Sequence, residues 1–161
     1  MRIFGKSLSD YVSYEEGFLI LVLVVGLARL ALSLLGVPNS TPKFLSLTVL
    51  YLLGMLYYSV RVATSGVGSY KQLLPVLALP VIVGSCIVVA GIILAILTGK
   101  DNIFSAPEYS GGVDGKTWVH VGGHVLAMVI VPLVLWLVGS LIMLVTKKFT
   151  GSRAQPAGTG A

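Results

Sequence analysis

Four apolar runs divide the chain, over residues 17–37, 44–63, 73–98 and 119–146, and charged residues lie almost entirely between and beyond them. Each run has the ~20 residues that carry a helix across a hydrocarbon core of ~30 Å. Lipid offers no water to backbone N–H and C=O groups, so each span must satisfy its own, as a helix does. Only 11% of the residues are charged and the mean hydropathy is +0.96, too little polar surface for a water-soluble domain. These features predict an all-α membrane protein, a four-helix antiparallel transmembrane bundle in one domain over residues 1–149. The tail over 150–161, rich in Gly, Ala, Pro and Ser, is expected to be disordered.

The connections predict the order of packing. Two prolines and small polar residues fill 37–43, a tight turn that makes the first two spans antiparallel neighbours. The second connection, 64–72, is also short. Pro75 and Pro80 stand early in the third span, where Pro80 is placed to kink it. The stretch 99–118 is different. It mixes acids, aromatics and glycines instead of the Ser/Gly monotony of a flexible linker, and predicts an ordered loop folded over one end of the bundle. Before the first span, Ser7 with Asp10 and Ser13 with Glu16 both have capping-box spacing, which predicts a short interfacial helix and then a helix start. The first span is not expected to be a signal peptide: it is long, Glu15 and Glu16 precede it, and no small-x-small site follows Leu35.

Lysine and arginine set the expected orientation. Arg2, Lys6, Arg61, Lys71, Lys147, Lys148 and Arg153 fall at one end, and Lys43, Lys100 and Lys116 at the other. The positive-inside rule then puts both termini in the cytoplasm, in a bacterial inner membrane, with 99–118 outside. The net charge of +5 is spread over span ends, a pattern of membrane anchoring and not of nucleic-acid binding. The expected partners are therefore the lipid bilayer and either a second copy or the subunits of a membrane complex. The single cysteine, Cys86, forms no internal disulfide, and the small residues Gly84, Ser85, Cys86, Ala90 and Gly91 suggest a close-packing helix face.

Two places carry residues suited to chemistry. His120 and His124 are four apart and share a helix face, a spacing that can chelate one metal ion. With a carboxylate from Glu108 or Asp114 they would make a two-histidine, one-carboxylate set suited to zinc or another divalent metal. The motif is His-Val-Gly-Gly-His and lacks the glutamate of a metalloprotease. Haem fits less well, because bis-histidine ligation needs histidines on two facing helices. The plainer alternative is a pair solvated at the interface or bonded to the loop. Gly122 and Gly123 between them would admit another helix or the loop.

The other place is Arg29, a charge inside the first span, ~12 Å below its outer end at the rise of a helix. Such a charge costs ~3 kcal/mol on insertion scales and normally faces the bundle interior with a partner. No Asp or Glu lies inside any span. Arg29 either snorkels to headgroups or lines a polar pocket under the loop with His124, Trp118 and Tyr109. Arg61 is expected to snorkel at the opposite end, beside an aromatic belt of Tyr57 and Tyr58. Tyr51 lies deeper and needs a partner for its hydroxyl. No catalytic triad or phosphate-binding glycine loop is visible.

Gly66-Val67-Gly68-Ser69-Tyr70-Lys71-Gln72-Leu73-Leu74, followed by Leu79-Pro80 and an apolar run, resembles the core of Yip1-like bacterial membrane proteins over about residues 66–98. The resemblance implies a helical membrane scaffold and no catalytic residues. The chain departs from it in having four spans where that family typically has five. Three functional readings follow: a non-enzymatic scaffold or accessory subunit of a membrane complex, a metal-binding protein, and a small transporter in which Arg29 meets an anionic substrate.

Overall fold

The structure is a computed structural model that describes residues 2–65 and 68–153, with backbone alone over 151–153. Four helices account for nearly all of it: α1 (Leu8–Leu34), α2 (Leu47–Thr64), α3 (Tyr70–Thr98) and α4 (Trp118–Arg153). All four are long and apolar enough to cross a membrane, so the chain is an integral membrane protein of the expected all-α class. The "loop end" below is the one carrying the α1–α2 turn and residues 99–117. The "terminal end" is the one where α1 begins and α4 finishes.

Local chemistry sets the helix boundaries. The Ser7 hydroxyl accepts the Asp10 N–H at 3.2 Å, and the Asp10 carboxylate accepts the Ser7 N–H at 2.7 Å, so the first expected capping box forms. Ser13 and Glu16 make no such box; the helix instead breaks one residue earlier, at Glu15 (φ −124°, ψ 18°). The result is a short helical segment followed by the span, divided by that break and not by a Ser13 cap. Ahead of it, β1 (Arg2–Ile3) and β2 (Lys6–Ser7) pair antiparallel in a small hairpin that the sequence reading did not anticipate. Phe4 and Gly5, both at positive φ, make its turn. The Tyr11 hydroxyl donates to the Ile3 carbonyl at 2.9 Å and the Gln72 amide to Phe4 at 2.8 Å, tying the hairpin to α1 and α3. Ser46 caps α2 and Ser69 with Gln72 caps α3. Gly99, left-handed at φ +71°, ends α3. Gly66 and Val67, which open the Yip1-like segment, lie outside the described residues, as do 154–161 of the expected tail; α4 itself continues to Arg153.

α3 is the central element and packs against all three others; α4 packs against α2 and α3. The expected neighbours α1 and α2 touch only thinly, and α1 lies mainly on α3. The reason is side-chain size. Gly26 of α1 admits Ile87, whose Cδ1 would stand 2.7 Å from a Cβ at that position, and Val22 is fully buried beside it. Between α1 and α2, by contrast, the Phe18 ring is wedged over Gly54 and holds the backbones apart. Gly139 brings α4 onto Ser59 and Leu77 in the same way. The expected small-residue face of α3 is divided: Gly84, Ser85 and Gly91 face inward, while Cys86 and Ala90 face outward. At ~1.5 Å per residue the 36 residues of α4 reach ~54 Å, so its ends project beyond the hydrocarbon.

Candidate functional site

The segment 99–117 is ordered, and its order creates the site. Asn102, Ile103, Phe104, Ser105 and Ala106 are buried. The Asn102 amide donates to the Gly91 carbonyl at 2.7 Å, and the Phe104 ring lies on Gly91, where a Cβ would come within 2.7 Å of it. From the other side the Ile103 N–H donates to the Ser33 hydroxyl at 2.8 Å, and that hydroxyl donates to the Asn39 side chain at 2.9 Å. Asn39 in turn donates to Glu108 at 3.1 Å, and its carbonyl accepts the Tyr109 hydroxyl at 2.9 Å. The loop is thereby stitched to the α1–α2 turn and to α3. Lys116 closes it with ion pairs to Asp101 at 2.6 Å and Asp114 at 3.1 Å.

Under this loop is a cavity of about 340 Å³ reached by all four helices. Its polar wall is Arg29 from α1, Thr48 and Tyr51 from α2, Ser85 from α3, Tyr109 from the loop, and His120 and His124 from α4. The remainder is apolar, with Val81, Val88 and Phe104 among the lining residues. Tyr51 reaches the cavity because its hydroxyl passes over Gly84, where a Cβ would collide with it. Thr117 caps α4 by accepting the His120 N–H at 3.1 Å, which places both histidines in the first two turns. Their rings stack at 13° with the two Nε2 atoms 3.1 Å apart. At that distance one Nε2 donates and the other accepts, the roles being set by the tautomers of the two rings.

Arg29 has no carboxylate. Among the described residues the ion pairs within 4.0 Å are those of Lys116 alone. The Arg29 guanidinium stands 5.4 Å from the centre of the Phe104 ring, and its Nε is buried without a hydrogen-bond partner. Arg29 is one of the residues that line the cavity beneath the loop. That cavity brings together Arg29, Tyr109, His120 and His124.

The other expected site residues are elsewhere. Trp118 is 64% exposed and does not line the cavity; two residues before His120 on a helix, it faces the opposite side. The expected metal set is not assembled. Glu108 is bonded to Asn39 and Asp114 to Lys116, and the described residues contain no group of three or more His, Cys, Asp or Glu side chains able to hold a metal. Gly122 and Gly123 meet nothing within 4 Å. Arg61 lies over Tyr14 at 4.4 Å and near Tyr57 at 5.7 Å, within the expected belt. The sequence reading missed Thr48 and Ser85, ordinary small residues whose only signal is their final neighbours. It also took Glu15 only as an acidic flank of the first span; the residue is 1% exposed.

The geometry defines the class: the chain is a polytopic helical membrane protein with an arginine-lined cavity at its loop end. No protein-family model, no curated protein and no solved structure matches it.

Proposed function

We propose that this protein binds a small anion, a carboxylate or phosphate ester on a short apolar body, in the cavity under the loop, and acts as a carrier for it. The observation that supports this is Arg29, a cation at the wall of a partly open cavity with no anionic partner among the described residues. Placing such a charge there costs ~3 kcal/mol or more, and an anionic ligand offsets the cost. The hydroxyls of Thr48, Tyr51 and Ser85 and the histidine pair supply hydrogen bonds, and the apolar wall accepts the ligand's body. A volume of about 340 Å³ is at the small end of the ~300–1,000 Å³ range of ligand pockets. In the orientation set by lysine and arginine, both termini are cytoplasmic and the cavity belongs to the outer half of a bacterial inner membrane.

The test is calorimetric titration of the protein in nanodiscs of zwitterionic lipid. The probes are inorganic phosphate, glycerol phosphate and a short-chain carboxylate, with a parallel arm in which anionic phosphatidylglycerol is added to the disc. Binding lost in Arg29→Leu supports the reading, and the two arms separate a free anion from a lipid headgroup. Wild-type protein that binds neither, or Arg29→Leu that binds as well as wild type, overturns it. A second reading, the scaffold or accessory subunit, draws on Gly122 and Gly123, which are left uncovered on α4 and would admit a foreign helix. It predicts an oligomer or complex in mild detergent that Gly122→Leu dissociates.

A further inference from the structure

At the terminal end a second cavity, about 490 Å³, is lined by Tyr14, Glu15 and Phe18 of α1 and by Tyr57, Tyr58 and Arg61 of α2. Glu15 is 1% exposed, and neither of its carboxyl oxygens has a hydrogen-bond partner among the described residues. α1 is broken at this residue, so the backbone changes direction at the carboxyl group. The cation in the cavity wall is committed elsewhere. Arg61 lies over the Tyr14 and Tyr57 rings, donates to the Tyr14 carbonyl at 3.5 Å, and makes no ion pair with Glu15 within 4.0 Å. The other titratable groups in the wall are Tyr14 and Glu16 of α1 and Tyr57 and Tyr58 of α2. Among the described residues, α3 and α4 contribute none.

An ionised carboxylate withdrawn from water without a partner costs several kcal/mol, and binding a proton removes most of that cost. No ion pair among the described residues neutralises this one. We propose that Glu15 is a proton-binding site at the terminal end of the bundle. In the conformation described, the carboxyl carries its proton. Release transfers that proton to water in the cavity and leaves a carboxylate, which the Arg61 guanidinium can then pair with by leaving the Tyr14 ring. The departure from helical geometry in α1 falls at Glu15 itself, so the carboxyl sits at the junction of two helical segments.

Shared lining residues connect the site to the Arg29 cavity. A void of only about 10 Å³ between the two is bounded by Phe18, Tyr51 and Tyr58. Phe18 and Tyr58 also line the Glu15 cavity, and Tyr51 the Arg29 cavity. The proton site stands on its own geometry and does not depend on what binds at Arg29.

Two measurements on the full chain in lipid test it. The first is modification by a hydrophobic carbodiimide at neutral pH, mapped by mass spectrometry. Carbodiimides attack protonated carboxyl groups, and carboxylates in water are ionised by more than two pH units there. Label on Glu15 is expected to exceed that on its exposed neighbour Glu16 by at least about tenfold. The second is the infrared spectrum, where a protonated-acid carbonyl band at neutral pH is expected in wild type and missing in Glu15→Gln. Glu15 left unlabelled in wild type, or a folded Glu15→Gln protein whose acid band matches wild type, overturns the proposal. Should Glu15→Gln not fold, the carbodiimide map of wild type decides alone.

Discussion

The contact between Phe104 and Gly91 holds the roof of the cavity, and its energetics can be worked from the structure. Phe104 is 6% exposed and covers Gly91, where a Cβ would stand 2.7 Å from its Cδ2 and 3.3 Å from Leu30 Cδ1. In wild type, Gly91→Ala gains about 1 kcal/mol of helix propensity but forces a buried ring to move, an overpacking cost of about 1–3 kcal/mol. The net effect is neutral to about 2 kcal/mol destabilising. Phe104→Ala alone costs about 3 kcal/mol, the lower end for a buried phenylalanine, because part of the ring borders open cavity. In the Phe104→Ala background the collision is gone, Leu30 yields by a few tenths of an ångström, and Gly91→Ala becomes stabilising by up to about 1 kcal/mol. The double-mutant coupling is therefore about 1–3 kcal/mol, well above the scatter of additive pairs. Reversible unfolding in mixed detergent, followed by the fluorescence of Trp136, reads it; that indole donates to the Tyr70 carbonyl at 2.7 Å, away from the mutated pair. An equal effect of Gly91→Ala in both backgrounds, within about 0.5 kcal/mol, refutes the claim that the ring seats on this glycine.

Asn39→Ala removes the side-chain bonds to Ser33 and Glu108 and is expected to cost about 1 kcal/mol, with faster hydrogen exchange over residues 103–110 and little change in α3. The Lys116 clasp is expected to hold across the neutral range and open at both extremes. The Lys116 backbone N–H, and then its side chain, hold the Asp114 carboxyl below its ordinary value, so that contribution is present above the unfolded value and lost as pH falls through the folded one. Asp101 and Asp114 hold the Lys116 ammonium above its ordinary value, so its contribution is complete below the unfolded value and lost as pH rises through the folded one. Amide shifts of residues 114–116 against pH check both limbs. For orientation, Ser110→Cys in a Cys86→Ser background is expected to react with an impermeant maleimide on intact cells, whereas a cysteine in the tail is protected.

Helix number and membrane character were legible because both depend on local composition. Any run of ~20 apolar residues must cross or be buried, whatever its neighbours. Caps were legible where the partners are three residues apart, as with Ser7 and Asp10, and misleading where a break intervened, as with Ser13 and Glu16. The depth of Arg29 and the shared face of His120 and His124 followed from helical rise and period. That they meet in one cavity depended on a loop stitched to Gly91, Ser33 and Asn39, contacts between residues far apart in the chain. The same contacts took Glu108 out of the expected metal set, and helix phase turned Trp118 away. A short turn likewise did not decide that α1 packs on α3: glycines at 26 and 54 faced side chains of different bulk, one admitting a neighbouring helix and the other seating a ring. The sequence by itself determined how many helices there are and what solvent surrounds them, because those are properties of each segment. Which ionisable side chains face inward without a charged partner, Arg29 at one end and Glu15 at the other, was decided only by tertiary packing, because a missing partner is a property of everything that surrounds a side chain.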